Sequence, residues 1–353
     1  KSLYLLSWDD NSILLFARSI GSKSSTFSSD MSLKASNLSK LYGQKWALRD
    51  VSFEAERGEI FGLFGASGSG KTTVLNILAG IEKTNGGSVY FDSNDLMAET
   101  PEKRKFTFAE PTADSSWKRL FGSGKPSAPS GSRRAEAIKK AAGSATNVLL
   151  VDDGFSSMDS EQRRESLTLL RRVAKEKNLA VVFAASSFED IMLLCDRVAV
   201  IADTEIKQIG APQQVYLEPH SYSVAHVTGR NNLFKARRTT SSKADIPQFQ
   251  TIDGSHKLTI KKIEKSSLGA LNQNVTLGIR PEHISISFGA SFPEDNLIKA
   301  TITGVQFLGA TTLVALDSDG LKLSAVVLRL VGLNAGDECM LGLPPDRIAI
   351  YKD

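Results

Sequence analysis

The residues of this chain best suited to chemistry form one run, Gly65-Ala66-Ser67-Gly68-Ser69-Gly70-Lys71-Thr72, with the spacing G-x-x-x-x-G-K-[ST]. Glycines at Gly65, Gly68 and Gly70 let successive backbone N–H groups turn inward around a phosphate. The side chains divide the remaining work. Lys71 reaches the β- and γ-phosphates of a nucleotide, and the Thr72 hydroxyl ligates a Mg²⁺ that bridges them. Ser67, Ser69 and Thr73 complete the expected set of nucleotide contacts.

Two elements must hold this loop. Ile60-Phe61-Gly62-Leu63-Phe64, just before it, is a short apolar stretch suited to a buried parallel strand. After it, Val74, Leu75, Ile77, Leu78 and Ile81 recur at helical spacing. Strand, loop and helix in that order aim a helix N-terminus at the phosphates, adding its dipole and free N–H groups. That context separates a nucleotide site from a flexible Gly/Ser turn. A second buried strand, Asn147 to Asp153, ends in two carboxylates. A carboxylate at the end of an apolar strand is costly unless it holds a metal or a polar partner. Beside a phosphate loop, Asp152 is therefore the expected second ligand of the Mg²⁺.

Composition excludes several classes. The chain has 353 residues, 41% hydrophobic and 23% charged, enough for two domains with their own cores. Net charge is +4, from 43 basic and 39 acidic residues, and no basic run is interleaved with aromatics, so no nucleic-acid partner is expected. Cys195 and Cys339 are far apart and form no C-x-x-C, which speaks against a disulfide framework and fits a reducing compartment. No stretch approaches the roughly 18 apolar residues of a membrane span.

Along the chain, residues 1–30 stand apart. Two apolar patches are split by Asp9 and Asp10 and followed by a Ser-rich run, which does not fit a signal peptide. They read either as an extension upstream of a natural start at Met31 or as a mobile arm. From Leu33 the pattern becomes globular. Leu38 to Tyr42, Ala47 to Phe53 and Ser88 to Phe91 are expected strands. A Pro- and Gly-rich segment spans 100–132, and Arg133 to Ala142 is an expected helix. A helix over about Ser160 to Lys177, a strand over Leu179 to Ala184, a short helix over Phe188 to Cys195 and a strand over Val198 to Ile201 follow. Strands alternating with helices imply a parallel sheet covered on both faces, with ligands bound at the carboxyl ends of its strands. After Gly210 a connector with Pro212 and Pro219 leads to short β-like runs beyond about Lys235, including Val275 to Ile279, Ile284 to Phe288, Ala300 to Phe307, Thr311 to Asp317 and Leu321 to Val327. These predict a second, smaller all-β domain.

The loop, the strand Val148 to Asp153, the segment Phe155-Ser156-Ser157-Met158-Asp159 and the run Asp196-Arg197-Val198-Ala199-Val200-Ile201 together resemble the ATP-binding subunit of an ABC transporter. Gly229-Arg230-Asn231-Asn232-Leu233-Phe234 and Gly278-Ile279-Arg280-Pro281-Glu282-His283 resemble the connector and the C-terminal TOBE domain of one importer branch, which serves sugars, polyamines or iron. The resemblance runs from about residue 33 to the end. It implies an α/β P-loop NTPase domain of the ABC type over 31–234 and an OB-like TOBE domain over 235–353. It further implies Mg²⁺ and ATP as cofactors, a cytoplasmic place on the inner face of the cell membrane, nucleotide-driven dimerisation and integral membrane permease subunits as partners. In the same pattern Tyr42, just before Gly43, stacks on adenine, with Trp46 in reserve.

The departures fall on the catalytic positions. Where the family carries a glutamate that orients the attacking water, this chain has Asp153, a weaker base because one methylene less displaces the carboxylate by about an ångström. Gly154 replaces the neighbouring proline, and Ser186 occupies the position of a histidine that contacts the γ-phosphate. The four histidines, His220, His226, His256 and His283, all lie later. The family glutamine that senses γ-phosphate falls on Ala109, and the signature that opens a helix survives only as Pro129-Ser130-Gly131-Ser132-Arg133. Ser130 and Gly131 keep a hydroxyl and N–H groups for phosphate. Only 21 positions separate Ala109 from Ser130, shorter than the family's helical subdomain that receives the permease. Three readings stay open: a degenerate subunit paired with an intact paralogue, or with itself; a nucleotide-binding regulatory protein outside transport; and a slow ATPase.

Overall fold

The computed structural model describes residues 32–109, 131–153, 155, 157–240, 246–261, 270–289, 295–328 and 332–352. Residues 1–31 and 110–130, Ser130 among them, lie outside the described residues, and with them the expectations of an N-terminal extension and a shortened helical subdomain. The chain opens with β1 (Ser32–Tyr42), β2 (Lys45–Glu56) and β3 (Ile60–Phe64), followed by α1 (Lys71–Ala79), β4 (Gly86–Phe91) and β5 (Asn94–Asp95). A single turn, α2 (Pro101–Arg104), leads to β6 (Thr107–Ala109). Next come α3 (Gly131–Ser144), β7 (Val148–Asp152), α4 (Ser160–Glu176), β8 (Ala180–Ala185), α5 (Phe188–Leu194), β9 (Arg197–Ala202) and β10 (Glu205–Gly210).

Six of these strands form one sheet in the order β10-β9-β3-β8-β7-β6. All neighbours are parallel except the edge hairpin β9–β10. The central strands are apolar along their length because both faces are covered. Their side chains alternate between two cores. Ile60, Phe64, Leu149, Val151, Val181 and Phe183 point to the face of α3, α4 and α5. Phe61, Leu63, Val148, Leu150 and Val182 point to the face of α1 and of a second, antiparallel sheet in the order β2-β1-β4-β5. Phe53 of β2 stacks on Phe61 with ring centroids 5.0 Å apart, joining the two sheets. The helical spacing expected to continue to Ile81 stops at Ala79. Gly80 closes α1 in the left-handed conformation, and Ile81 is exposed.

The Pro212 connector folds as two short helices, α6 (Pro212–Leu217) and α7 (Tyr222–Val227), each starting where proline or a serine cap favours it. Beyond them are β11 (Asn232–Arg238), β12 (Gln248–Thr251), β13 (Lys257–Thr259), β14 (Asn274–Ile279), a 3₁₀ turn over Pro281–His283, and β15 (Ser285–Ser287). The chain ends with β16 (Asn296–Phe307), β17 (Thr311–Ser318), β18 (Leu321–Leu328), β19 (Glu338–Leu343) and β20 (Ala349–Tyr351). They form two five-stranded sheets, β13-β12-β11-β14-β20 and β15-β19-β16-β17-β18, around a single apolar core. This is the expected all-β domain. β11 straddles the expected boundary at 234/235 and pairs with β14 from Asn232 to Arg237.

Candidate nucleotide-binding site

β3 carries the loop to the carboxyl edge of the sheet, and α1 begins directly after Gly70. Ala66, Ser67 and Gly68 form its exposed tip, while Ser69 N–H donates to Ala66 O at 3.1 Å and closes the turn. Gly70 has φ 100°, and a Cβ there would lie 2.5 Å from Leu48 Cδ2 and 2.8 Å from Ala47 O, so only glycine fits. Gly70 offers no capping side chain, so the first-turn N–H groups of α1 remain available to an anion. Gly65 closes the base of the loop against Ile201 and Ser69.

Lys71 is buried, with its Nζ donating to Gly65 O at 2.7 Å and Ala66 O at 2.9 Å. The loop thus wraps its own ammonium. Burial pushes the Lys71 pKa below the usual lysine value, and the charges of Asp152 and Asp153 oppose that. The Thr72 hydroxyl donates to Asp152 Oδ2 at 2.7 Å. Burial raises the Asp152 carboxyl pKa, and the Asp153 charge raises it further against the Thr72 bond. A hydroxyl and a carboxylate in contact at the phosphate loop are hard oxygen donors of the kind Mg²⁺ takes, with phosphate and water oxygens filling the remaining positions. The residues present therefore fit the ion.

A cavity of about 300 Å³ lies along the loop between Tyr42, Lys45, Trp46 and Ala47 on one side and Gly68, Gly70, Lys71, Thr72 and Thr73 on the other. Tyr42 is half-exposed, and its hydroxyl donates to Glu82 Oε1. Lys40 pairs with Glu82 at 3.0 Å and stands 5.1 Å from the Tyr42 ring centroid. Trp46, the reserve aromatic, carries the Arg49 guanidinium 5.1 Å from its ring. Glu82, which fixes Tyr42, and Lys45 were not legible as site residues, because neither belongs to a phosphate-loop pattern.

Asp153 and Ser186 end two adjacent strands. Asp153 N–H donates to Ala184 O at 2.8 Å, and Ser186 Oγ donates to Asp153 Oδ2 at 3.4 Å. The Asp153 backbone lies at φ 40°. Ala109 ends β6, buried and paired with Val151. Gly131 opens α3, where Ser132 Oγ accepts from Gln162 Nε2 at 3.1 Å. Arg134, one turn in, donates through its guanidinium to Asp153 O. Sequence reading had given Arg134 no role, since a lone arginine on a helix is ordinarily a solvated one.

Two family patterns match the chain: ABC transporter over residues 48–181 and TOBE domain over residues 277–350. The sulfate/thiosulfate import ATP-binding protein of Bacillus cereus is 30% identical over 78% of this chain and 92% of its own length. The spermidine/putrescine import ATP-binding protein of Methylococcus capsulatus is 27% identical over 80% of this chain and 81% of its own length. The molybdate/tungstate import ATP-binding protein of Pyrococcus horikoshii is 26% identical over 90% of this chain and 99% of its own length. Among solved structures, a nucleotide-free ATP-binding cassette from an ABC transporter is 16% identical, covering 51% of this chain and 90% of that chain with a TM-score of 0.45. With the phosphate loop, the Thr72–Asp152 pair and the C-terminal β domain in place, the chain belongs to the family of import-type ABC transporter ATP-binding subunits that carry a TOBE domain.

Proposed function

We propose that this chain binds Mg²⁺-ATP at Gly65 to Thr73 and acts as the catalytically weak half of a heterodimer with an intact paralogue, driving an integral membrane permease from the cytoplasmic face. Lys71 holds the β- and γ-phosphates, Thr72 and Asp152 hold the ion, and Tyr42 stacks on adenine. Bound Mg²⁺ supplies charge neutralisation at the β- and γ-oxygens. Ser130 and Gly131 present what remains of the signature to the partner's nucleotide, although Ser130 lies outside the described residues.

One observation carries the reading. At the carboxyl edge, where water must be oriented and the γ-phosphate sensed, the groups in hand are Asp153 and Ser186, 3.4 Å apart. An aspartate reaches about an ångström less far than a glutamate, and a hydroxyl cannot supply the charge of an imidazolium, so both jobs are done poorly. Nucleotide binding depends on other residues and is retained. Relatives are named for sulfate, polyamine and molybdate import. The cargo of this complex, like the sugar, polyamine or iron expected from its pattern, is chosen by the permease and not by this chain.

The test is phosphate release by the purified chain alone, by its paralogue alone and by the mixture. The proposal expects Mg²⁺-dependent ATP binding with little turnover by this chain, and turnover by the mixture above the sum of its parts. A mixture no faster than this chain alone refutes the heterodimer. Turnover by this chain at the paralogue's own rate favours a divergent working ATPase, a reading supported by the intact Lys71, Thr72 and Asp152.

A further inference from the structure

α3 brings a cation to the carboxyl edge of the parallel sheet. Its buried residues are Ile138, Ala141 and Ala142, and Arg134 stands four positions before Ile138, so it continues the same face of the helix. Arg134 is partly buried, whereas the other charged side chains of α3, Arg133, Glu136, Lys139 and Lys140, are exposed. A cation drawn onto an apolar face is costly unless it finds an acceptor there. The acceptor is the backbone carbonyl of Asp153, to which the Arg134 guanidinium donates.

The carbonyl it holds belongs to a backbone that needs holding. Asp153 lies at φ 40°, in the left-handed region that disfavours a residue with a Cβ, and such a conformation persists where its surroundings over-determine it. β8 and the residue after it act on one side, with the Asp153 N–H donating to Ala184 O at 2.8 Å and Asp153 Oδ2 accepting from Ser186 Oγ at 3.4 Å. Arg134 acts on the other, from a different element. The residue that follows in sequence is Gly154, and glycine restrains the peptide it shares with Asp153 less than any other residue would. The hold from α3 supplies on the carbonyl side what the sequence leaves loose.

We propose that Arg134 is a positioning residue for ATP hydrolysis, fixing the Asp153 carbonyl from α3 and so setting the direction in which the Asp153 carboxylate leaves the backbone, a role that rests on the reading of Asp153 as the weak base. Rotation of the Asp153 peptide swings its Cβ and with it the carboxylate. A displacement of about an ångström at a positioned group can cost a hundredfold in rate. An aspartate, with one methylene less than a glutamate, has less reach with which to correct a wrong aim, so it depends more on its backbone. Arg134 also lies within one turn of Gly131, where α3 opens, so a shift of this helix is transmitted to the Asp153 carbonyl.

Two measurements on the full chain decide it, amide hydrogen exchange and single-turnover ATP hydrolysis with protein in excess, where slow cleavage is still read. Arg134→Met keeps the apolar stem and loses the donors. It should speed exchange at the Asp153 amide several-fold while the amides of Val148 to Val151 keep wild-type protection, and slow hydrolysis about tenfold or more with ATP affinity within about twofold of wild type. Arg134→Lys, which keeps a charged donor, should recover part of the rate. Asp153→Asn should itself slow hydrolysis, and Arg134→Met added to it should slow it little further, because both act through one carboxylate. Unchanged exchange at Asp153, or a loss of melting temperature or ATP affinity with the rate constant intact, is what a merely structural arginine gives and overturns the proposal. So does an Arg134→Met effect just as large in the Asp153→Asn background. Hydrolysis by Asp153→Asn at the wild-type rate, or no cleavage by wild type, refutes the reading of Asp153 as a base, and the role of Arg134 falls with it. If Arg134→Met does not fold, Arg134→Gln carries the same comparison.

Discussion

Ser186 Oγ donates to Asp153 Oδ2 across 3.4 Å. The two positions meet because β7 and β8 are parallel neighbours, with Asp152 opposite Ala184 at their carboxyl ends. The contact joins the two positions at which the proposed function places weakened catalysis, and its consequences are measurable.

Asp153→Glu combined with Ser186→His is expected to raise single-site ATP turnover about tenfold or more over wild type, the low end of what a positioned base contributes. Phosphate release under single-turnover conditions reads it. No gain from the double variant means these two positions do not limit turnover. Asp153→Glu alone should cost about 1 kcal/mol in urea denaturation, because aspartate tolerates φ 40° better than glutamate does.

Gly70→Ala should abolish nucleotide binding, since its Cβ collides with Leu48 and Ala47 and the turn must open. Gly68→Ala is the control. It too has positive φ, 80°, but a Cβ there meets nothing within 4 Å. It should fold with a loss of about 1–2 kcal/mol and keep measurable binding. Fluorescent-nucleotide titration with a melting curve separates the two. Equal behaviour would mean that backbone strain, not the collision, sets the requirement at Gly70.

Tyr42→Ala should weaken ATP binding by roughly 5- to 150-fold, the equivalent of about 1–3 kcal/mol of base stacking, while Tyr42→Phe stays near wild type. Loss in the Phe variant as large as in the Ala variant would assign the effect to the Glu82 hydrogen bond instead.

Tyr216 of α6 and Tyr351 of β20 set an alkaline limit. Burial, aided by Glu282, pushes the Tyr216 pKa up to about 12, and burial pushes Tyr351 to about 12 as well. In the unfolded chain both ionise near 10. Since the folded state holds these protons more tightly, their stabilisation is complete below pH 10 and is lost progressively between about pH 10 and 12. Urea midpoints taken across that range should fall, and the fall should shrink in Tyr216→Phe and Tyr351→Phe. A wild-type midpoint flat to pH 12 would contradict it.

The sheet was legible from Phe61 to Ile201 because strands buried on both faces must be apolar throughout, and helices that cover them must show one apolar stripe. The short edge strands and the C-terminal hairpins were less so. β10, β12, β13 and β20 are brief, partly exposed and defined by their partners, so local pattern carries little of them. In the candidate site, the placement of Lys71, Thr72 and Asp152 at one sheet edge was readable because it is set by one turn and one strand end.

The sequence by itself determined the strand–loop–helix around Gly65 to Thr72 and the order of an α/β domain before an all-β one, since each rests on local residue order. Only the tertiary structure decided that Glu82 fixes Tyr42 and that Arg134 reaches Asp153. Those pairs lie 40 and 19 positions apart, and what joins them is strand order and packing between elements, which no local spacing encodes.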